Sequence, residues 1–358
     1  MRSFFRAFSV LSALLVCAPF SLAQSPQSPL TNRELVALVY QLPQHPDRRD
    51  EIVEEIRTRG IGFPLTDGMR SLVASKSGND VLLRRTLEEA ERRRSNPTAS
   101  ARPPEAEAKD LLDRTRAATM GAAQAMPDFI VKQLIKRSVA YGTTNNWMAQ
   151  DNLTIAVGYR ANAGEQYKLL AKNGMPVGQE VTEGRDYSKY VGGASSSGVE
   201  YISALADILK PESKAEFRLA DTDQIRGRRT LVYEYEVKRA FSQLSLTAGD
   251  ATVTSGSRGR IWIDREANRV LRFEQIATEI PVDFQITAAS TVIDYDWVTI
   301  GENKYLLPTN SDIRLTSVNT RLTLQSRNEI RFRGYQKFGA ELKVIDEIDE
   351  ADFPPEKP

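Results

Sequence analysis

Hydrophobic and polar positions alternate most regularly in residues 259–308, where short apolar runs are separated by turn residues. Alternation with a period of two, combined with β-branched and aromatic side chains, is typical of strands in a half-buried sheet. This stretch therefore predicts four successive strands, at residues 260–264, 269–277, 282–296 and from residue 304 to 308.

The same pattern extends over most of the chain after Pro127. Residues 129–141, 153–160 and 166–172 predict a meander, and the Asn-Gly pair at 173–174 that follows it is a strong hairpin turn. Residues 231–237 alternate between one apolar face and one that carries Glu234 and Glu236, which favours antiparallel pairing. Further strands are predicted at 215–219, 312–315 and 322–332.

Helical spacing of apolar residues marks a different region at 31–95, which predicts a small all-α module. Thr31 and Glu34 have the form of a capping box at its start, and the arginine run at 92–94 is typical of a last helical turn. The composition of residues 96–104 indicates a linker. The remaining predicted units are a β-domain at 105–345 with helices at 105–125 and 199–209, a Gly-rich loop at 178–198, and an acidic tail at 346–358.

Residues 1–23 have the form of a secretory signal peptide, with Arg2 and Arg6 before a short apolar run and small residues at a predicted cleavage site after Ala23. A lipoprotein signal with Cys17 acylated is the alternative, although Val16 stands where a small residue is usual. Cleavage after Ala23 removes the only cysteine, so the mature chain would form no disulfide. No other apolar run reaches about 18 residues, so we expect an exported protein without a transmembrane segment, periplasmic or associated with the outer membrane.

The composition disfavours most catalytic chemistry. The chain has one histidine, His45, and no cysteine after the predicted cleavage site, whereas histidine-based triads, cysteine nucleophiles and common zinc sites need more of these residues. Lys and Arg total 48 against 47 Asp and Glu, so no strong overall field attracts nucleic acid or anionic lipid. We therefore expect no catalytic residue, no metal, no cofactor and no nucleic-acid partner.

Paired carboxylates are the remaining candidates for chemistry. Asp294 and Asp296 lie two residues apart on one predicted strand and so share a face, which could bind a cation or form an acid/base pair. Glu234 and Glu236 have the same spacing, and Asp221 and Asp223 lie in a predicted loop before Gly227. We interpret these acids as the solvated face of a sheet and a turn, because Arg and Lys are abundant nearby.

Several local sequences resemble a set of uncharacterised bacterial exported proteins: those at 215–218, 261–264, 291–295, 305–308 and 335–341. Together with the order of helices and strands, residues 127–342 resemble the outer-membrane lipoprotein-carrier (Lol-type) group. The resemblance implies an α+β fold in which an open, strongly curved antiparallel β-sheet, a half-barrel, carries helices on its concave side and is preceded by the small all-α module. The functional feature of that group is an apolar cavity.

We therefore predict a non-enzymatic binding protein that holds a lipid or the acyl chains of a lipoprotein in the concave sheet. The candidate lining consists of large aromatic residues on the predicted strands, and the candidate lid is the Gly-rich loop: Tyr233, Tyr235, Trp262, Phe273, Phe284, Tyr295 and Trp297, with Gly192, Gly193 and Gly198 in the lid. The simpler interpretation of the aromatic residues is an ordinary core.

Two other functions remain open at this stage. One is a periplasmic scaffold or envelope-stress sensor that contacts a protein partner through residues 31–95 or the sheet edge. The weaker one is a glycan hydrolase that uses two carboxylates. A continuous apolar cavity would favour the carrier, whereas two carboxyl groups about 5–10 Å apart in a cleft would favour the hydrolase.

Overall fold

The structure is a computed structural model of the 358-residue chain. It describes residues 28–98, 101–142, 146–161, 164–177, 195–196, 202–318 and 322–338. The predicted signal peptide with Cys17, the lid glycines Gly192, Gly193 and Gly198, and the acidic tail lie outside the described residues.

Four helices form the N-terminal module: α1 Asn32–Gln41, α2 Arg49–Arg59, α3 Asp67–Lys76 and α4 Val81–Ser95. The predicted capping box is present, because the Thr31 side chain accepts from the Glu34 amide and the Glu34 carboxylate accepts from the Thr31 amide. Apolar residues from all four helices meet in one separate core, including Leu35, Val39, Ile52, Ile56, Val73 and Leu83. The four helices therefore share an interior of their own.

The rest of the described chain is dominated by an eleven-stranded antiparallel sheet with the order β4-β3-β2-β1-β14-β13-β12-β11-β10-β7-β6. A second sheet has three strands in the order β5-β8-β9. The strands are β1 Phe129–Tyr141, β2 Met148–Arg160, β3 Gly164–Lys172, β4 Met175–Pro176, β5 Ser195–Ser196, β6 Glu216–Ile225, β7 Arg228–Val237, β8 Ser245–Ala248, β9 Ala251–Thr254, β10 Gly256–Asp264, β11 Arg269–Thr278, β12 Ile286–Ile300, β13 Asn303–Val318 and β14 Thr323–Lys337. The predicted α+β class with an open antiparallel sheet is confirmed.

Several predicted strand boundaries were wrong. The predicted strands at 304–308 and 312–315 are one strand, β13, because its pairing with β12 continues past Pro308 through a register shift, where proline is tolerated. Strand β6 extends to Ile225 rather than ending at residue 219, so Asp221 and Asp223 lie in a strand and not in a loop. The two short strands β8 and β9 were not predicted.

Helices lie against both faces of the large sheet. Two of them, α5 Glu105–Gln124 and α6 Ile202–Leu209, pack on the face formed by Leu231, Tyr233, Tyr235, Phe273 and Tyr295, which we name the aromatic face. The N-terminal module lies against the opposite face, which we name the charged face and which carries Glu234, Arg260, Arg272, Asp294 and Arg314. The sheet therefore separates an apolar layer from a layer of ion pairs.

Candidate ligand-binding site

The centre of the aromatic face is filled by side chains. Tyr235 stacks on Phe273 with ring centroids 5.9 Å apart. The Tyr233 hydroxyl donates to the Ala108 carbonyl of α5 at 2.6 Å, which satisfies the polar end of a buried ring. These residues and the apolar stripe of α6 form one core, so Tyr233, Tyr235 and Phe273 fix the helices to the sheet.

A cavity opens at the end of this core, where two neighbouring strands separate. The pairing between β11 and β12 extends only from Ile276 with Ser290 to Arg272 with Asp294. Beyond Asp294 the register of β12 shifts, and the Tyr295 carbonyl accepts a hydrogen bond from the Arg226 guanidinium. The gap between the diverging strands, roofed by α5 and α6, encloses a cavity of about 210 Å³.

Most of the cavity wall is apolar or aromatic. Its residues come from α5 and the two residues after it, from α6, and from the ends of β11, β12 and β13: Thr119, Ala122, Ala125, Met126, Leu205, Val270, Tyr295, Trp297, Tyr305 and Leu306. Trp297 is 39% exposed, so its ring connects the cavity wall to solvent. A concave site with apolar walls and a few polar groups is the usual form of a small-molecule site.

Two cations, Arg269 and Lys304, complete the wall of this cavity. The Arg269 guanidinium is half-buried, and burial lowers its pKa. Its one hydrogen bond in the described structure is a long one of 3.4 Å to the Asn268 carbonyl. Within the described residues, no carboxylate lies at ion-pair distance from either cation.

The structure divides the aromatic residues that the sequence suggested for a cavity. Tyr295 and Trp297 line the cavity, whereas Tyr233, Tyr235 and Phe273 are core residues beside it. Phe284 packs in another cluster, with Ile286 and Leu246 near the three-stranded sheet. Trp262 lies on the charged face, so it does not share a cavity with the others.

Trp262 is fully buried, where it packs in a small apolar cluster with Val232 and Leu271 and also contacts charged groups. Its indole N–H donates to Asp223 at 2.9 Å. The guanidinium groups of Arg57 and Arg272 lie 6.0 and 5.3 Å from its ring centroid. Placement on this face follows from the pleat, because Trp262 pairs with Val232 and Arg272, whose neighbours Tyr233 and Phe273 face the other way.

The charged face holds the module through arginine–carboxylate pairs. From α4, Arg92 pairs with Asp223 at 2.6 Å and Arg93 pairs with Asp221. The arginine run therefore binds the sheet in addition to forming the last turn of α4. The interface also includes pairs between the central strands and α2, α4 or the N-cap residue of α4, namely Arg57–Glu274, Arg260–Glu54, Arg272–Glu89, Arg85–Asp294 and Arg314–Asp80. The candidate carboxylates Asp221, Asp223, Glu234 and Asp294 all have arginine partners here.

The electrostatics of the interface favour ionised carboxylates at most positions. Burial opposes the ionisation of Asp294, but the charges of Arg272 and Arg85 overcome it and hold its pKa below the usual range. Arg314 and Arg327 do the same for the pKa of Asp312. A carboxylate held in this way is a poor proton donor at neutral pH.

Glu89 is different. Burial and then the nearby charge of Asp223 raise its pKa from 4.5 to about 7. It lies inside the interface, where Arg272 contacts it at 3.3 Å.

A larger cleft of about 790 Å³ lies between α2 and the charged face. Its wall includes many charged residues, but several of them already neutralise each other: Arg57 pairs with Glu274, and Arg260 pairs with Glu54 and Glu234. Among the residues that the structure describes, no group of three potential ligands could hold a metal ion. The cleft is therefore a weaker candidate for a ligand than the apolar cavity.

The sequence did not indicate Arg269, Lys304, Tyr305 or Leu205 as site residues. The first two follow the predicted turns at 266–268 and 301–303, where cations are ordinary, and Leu205 was predicted only as part of an amphipathic helix. They come together because β11, β12 and β13 all have an end in the same place. None of the described helices has the length and apolar character needed to cross a membrane.

No family model and no curated protein sequence matches this chain. Among solved structures, it is similar to a DUF1329 family protein from Desulfovibrio piger ATCC 29098, with 9% identity, 67% of this chain and 96% of that chain covered, and a TM-score of 0.30. It is also similar to a putative outer membrane lipoprotein-sorting protein domain from Vibrio parahaemolyticus, with 11% identity, 67% and 100% coverage and a TM-score of 0.31.

A third similar structure is the MucA/MucB complex of Pseudomonas aeruginosa, with 10% identity, coverage of 63% of this chain and 94% of that chain, and a TM-score of 0.16. Lipoprotein-sorting proteins are the group that the sequence resembles.

Proposed function

We propose that this protein is a non-enzymatic binding protein that takes up the apolar end of an amphiphilic molecule, such as a lipid or a lipoprotein acyl chain, on its aromatic face. The observation that carries the proposal is the 210 Å³ cavity between the diverging strands and helices α5 and α6. Its walls are mostly apolar, and Trp297 extends from the wall into solvent.

The size of the cavity limits how much of a chain it shelters. At about 30 Å³ for each water of the liquid, its volume corresponds to roughly seven waters or a comparable run of methylene groups. Burial of about six methylene groups would contribute about 5 kcal/mol, which by itself gives an affinity of order 0.1–1 mM. The cavity therefore suits a chain end or a medium-length chain.

A cavity-filling substitution tests the proposal. Ala122 of α5 is half-buried and lines the cavity, whereas Ala117 of the same helix is exposed. We expect Ala122→Phe to weaken binding of the apolar fluorophore 1-N-phenylnaphthylamine at least tenfold, because the new ring occupies the ligand volume. Ala117→Phe is the matched control and should bind like the wild type.

The measurement is a fluorescence titration of the purified mature chain, followed by displacement of the fluorophore with decanol. Native mass spectrometry with lipid extraction of protein purified from its own envelope would identify a natural occupant. A wild type that binds neither fluorophore nor decanol, or equal binding by both alanine variants, would contradict the proposal.

A further inference from the structure

The wall of the apolar cavity contains two cations that form no ion pair within the described residues. On the charged face, each arginine at the module interface has a carboxylate partner, as in Arg57–Glu274 and Arg272–Asp294. Arg269 and Lys304 lie on the cavity wall, and within the described residues neither has one. Partial burial of a guanidinium without an anion costs free energy. The position of Arg269 beside a ligand cavity therefore favours a ligand that supplies the anion.

The two cations come from strands that flank the opening. Arg269 is the first residue of β11, and Lys304 is the second residue of β13. Between them β12 places Trp297, which is 39% exposed and lines the same cavity. The arrangement gives the cavity an apolar interior and a positively charged margin.

We propose that the amphiphile bound here carries an anionic head group, a carboxylate or a phosphate, that is held by Arg269 and Lys304. This inference rests on the proposed function and names the class of its ligand. The planar guanidinium of Arg269 can donate two hydrogen bonds to either kind of anion, and Lys304 supplies a mobile second charge. A short apolar cavity alone gives weak binding, so the head group supplies both additional affinity and selectivity.

Four decyl amphiphiles with one chain and different head groups test the inference: decanoate, decyl phosphate, decanol and decylamine. Each is titrated against the cavity-bound fluorophore below its micelle concentration. We expect decanoate or decyl phosphate to bind the wild type about tenfold to a hundredfold more tightly than decanol, the range for a charge-assisted hydrogen bond. Decylamine should bind more weakly than decanol. The ratio of the two anions identifies which head group the site prefers.

Substitutions then assign the selectivity to the two residues. Arg269→Met and Lys304→Met should each reduce the ratio of anion affinity to decanol affinity at least threefold, and the double variant should abolish the preference for anions. Arg258→Met is the charge-matched control, because Arg258 is an exposed cation on the other face of the sheet. Added salt should weaken the binding of the anions and leave that of decanol unchanged.

The outcomes separate the inference from the proposed function. If wild type binds decanol as tightly as the two anions, the head-group inference is wrong and the apolar site stands. The same conclusion follows if Arg258→Met lowers anion binding as much as Arg269→Met does. If neither the fluorophore nor any decyl compound binds, the proposed function fails and the inference fails with it.

Discussion

The carboxylate of Asp294 pairs with one arginine of the helical module and with one arginine of the sheet. Arg272 Nε donates to its Oδ1 at 2.9 Å, the Arg85 guanidinium donates to its Oδ2, and its side chain is 7% exposed. Replacing Asp294 by Asn keeps the shape of the side chain and removes the charge. Arg85 then loses its ion pair, whereas Arg272 keeps Glu89 at 3.3 Å.

The magnitude follows from burial. Removing one partner of a buried ion pair costs about 3–5 kcal/mol, because the remaining charge stays desolvated. Since Arg272 retains a second carboxylate, we expect the lower end, about 3 kcal/mol in the free energy of unfolding. Asp296→Asn is the matched control: Asp296 lies two residues further along β12, is 45% exposed in its side chain and pairs with Arg226 at 3.1 Å. Exposed pairs contribute about 0–1 kcal/mol.

Urea unfolding of the mature chain is measured for both variants at pH 8, above the pKa of about 7 for Glu89, with tryptophan fluorescence and circular dichroism as the two probes. Trp262 lies within the interface, so separation of the module before the sheet unfolds would shift the fluorescence transition to lower urea than the dichroism transition. The pKa of Asp294 is lowered, so its stabilisation is present above the unfolded value of 3.8 and is lost as the pH falls through the folded value. Equal destabilisation by Asp294→Asn and Asp296→Asn would refute the reasoning.

Two further predictions test other parts of the fold. The pKa of Glu89 is raised from 4.5 to about 7, so the folded chain binds an extra proton between these pH values and loses at most about 3 kcal/mol of stability as the pH rises through that window. Glu89→Gln should make this loss smaller, measured as the difference between the urea midpoints at pH 5 and pH 8. An unchanged difference would contradict the assignment to Glu89. A Cβ on Gly259 would lie 1.8 Å from the Glu274 carbonyl oxygen, so Gly259→Ala should cost about 3 kcal/mol or more in thermal unfolding. Gly301→Ala, at a φ of +62° in open space, should cost only about 1–2 kcal/mol, and the reverse order would show that β10 can shift.

The local pattern of the sequence predicted much of the architecture. Alternation in residues 231–237 assigned Tyr233 and Tyr235 to one face and Glu234 to the other, and the structure places them so. Most strand positions followed from the same alternation, because the pleat reverses the side chains at every residue. Pairing through Pro308 was not predictable, since it depends on a register shift shared with β12.

The partners of the charged residues could not be read from the sequence. Arg92 and Arg93 of α4 pair with Asp223 and Asp221, which lie 131 and 128 positions further along the chain. Nothing in the local pattern distinguishes such arginines from those of an ordinary last helical turn. The cavity was hidden for a similar reason, because it depends on where the pairing of β11 with β12 ends.

The two faces of the sheet are connected at this same position. The β11–β12 pairing ends at Asp294, and the next residue, Tyr295, faces the cavity. Arg272 and Arg85 hold the Asp294 carboxylate on the charged face, while Arg226 binds the Tyr295 carbonyl that no longer pairs with β11. The ion pairs therefore lie at the position where the strands separate, next to the opening on the aromatic face. The module, on the far side of the sheet, thus supports the geometry of the proposed ligand site, because one of its arginines anchors the residue before a cavity wall.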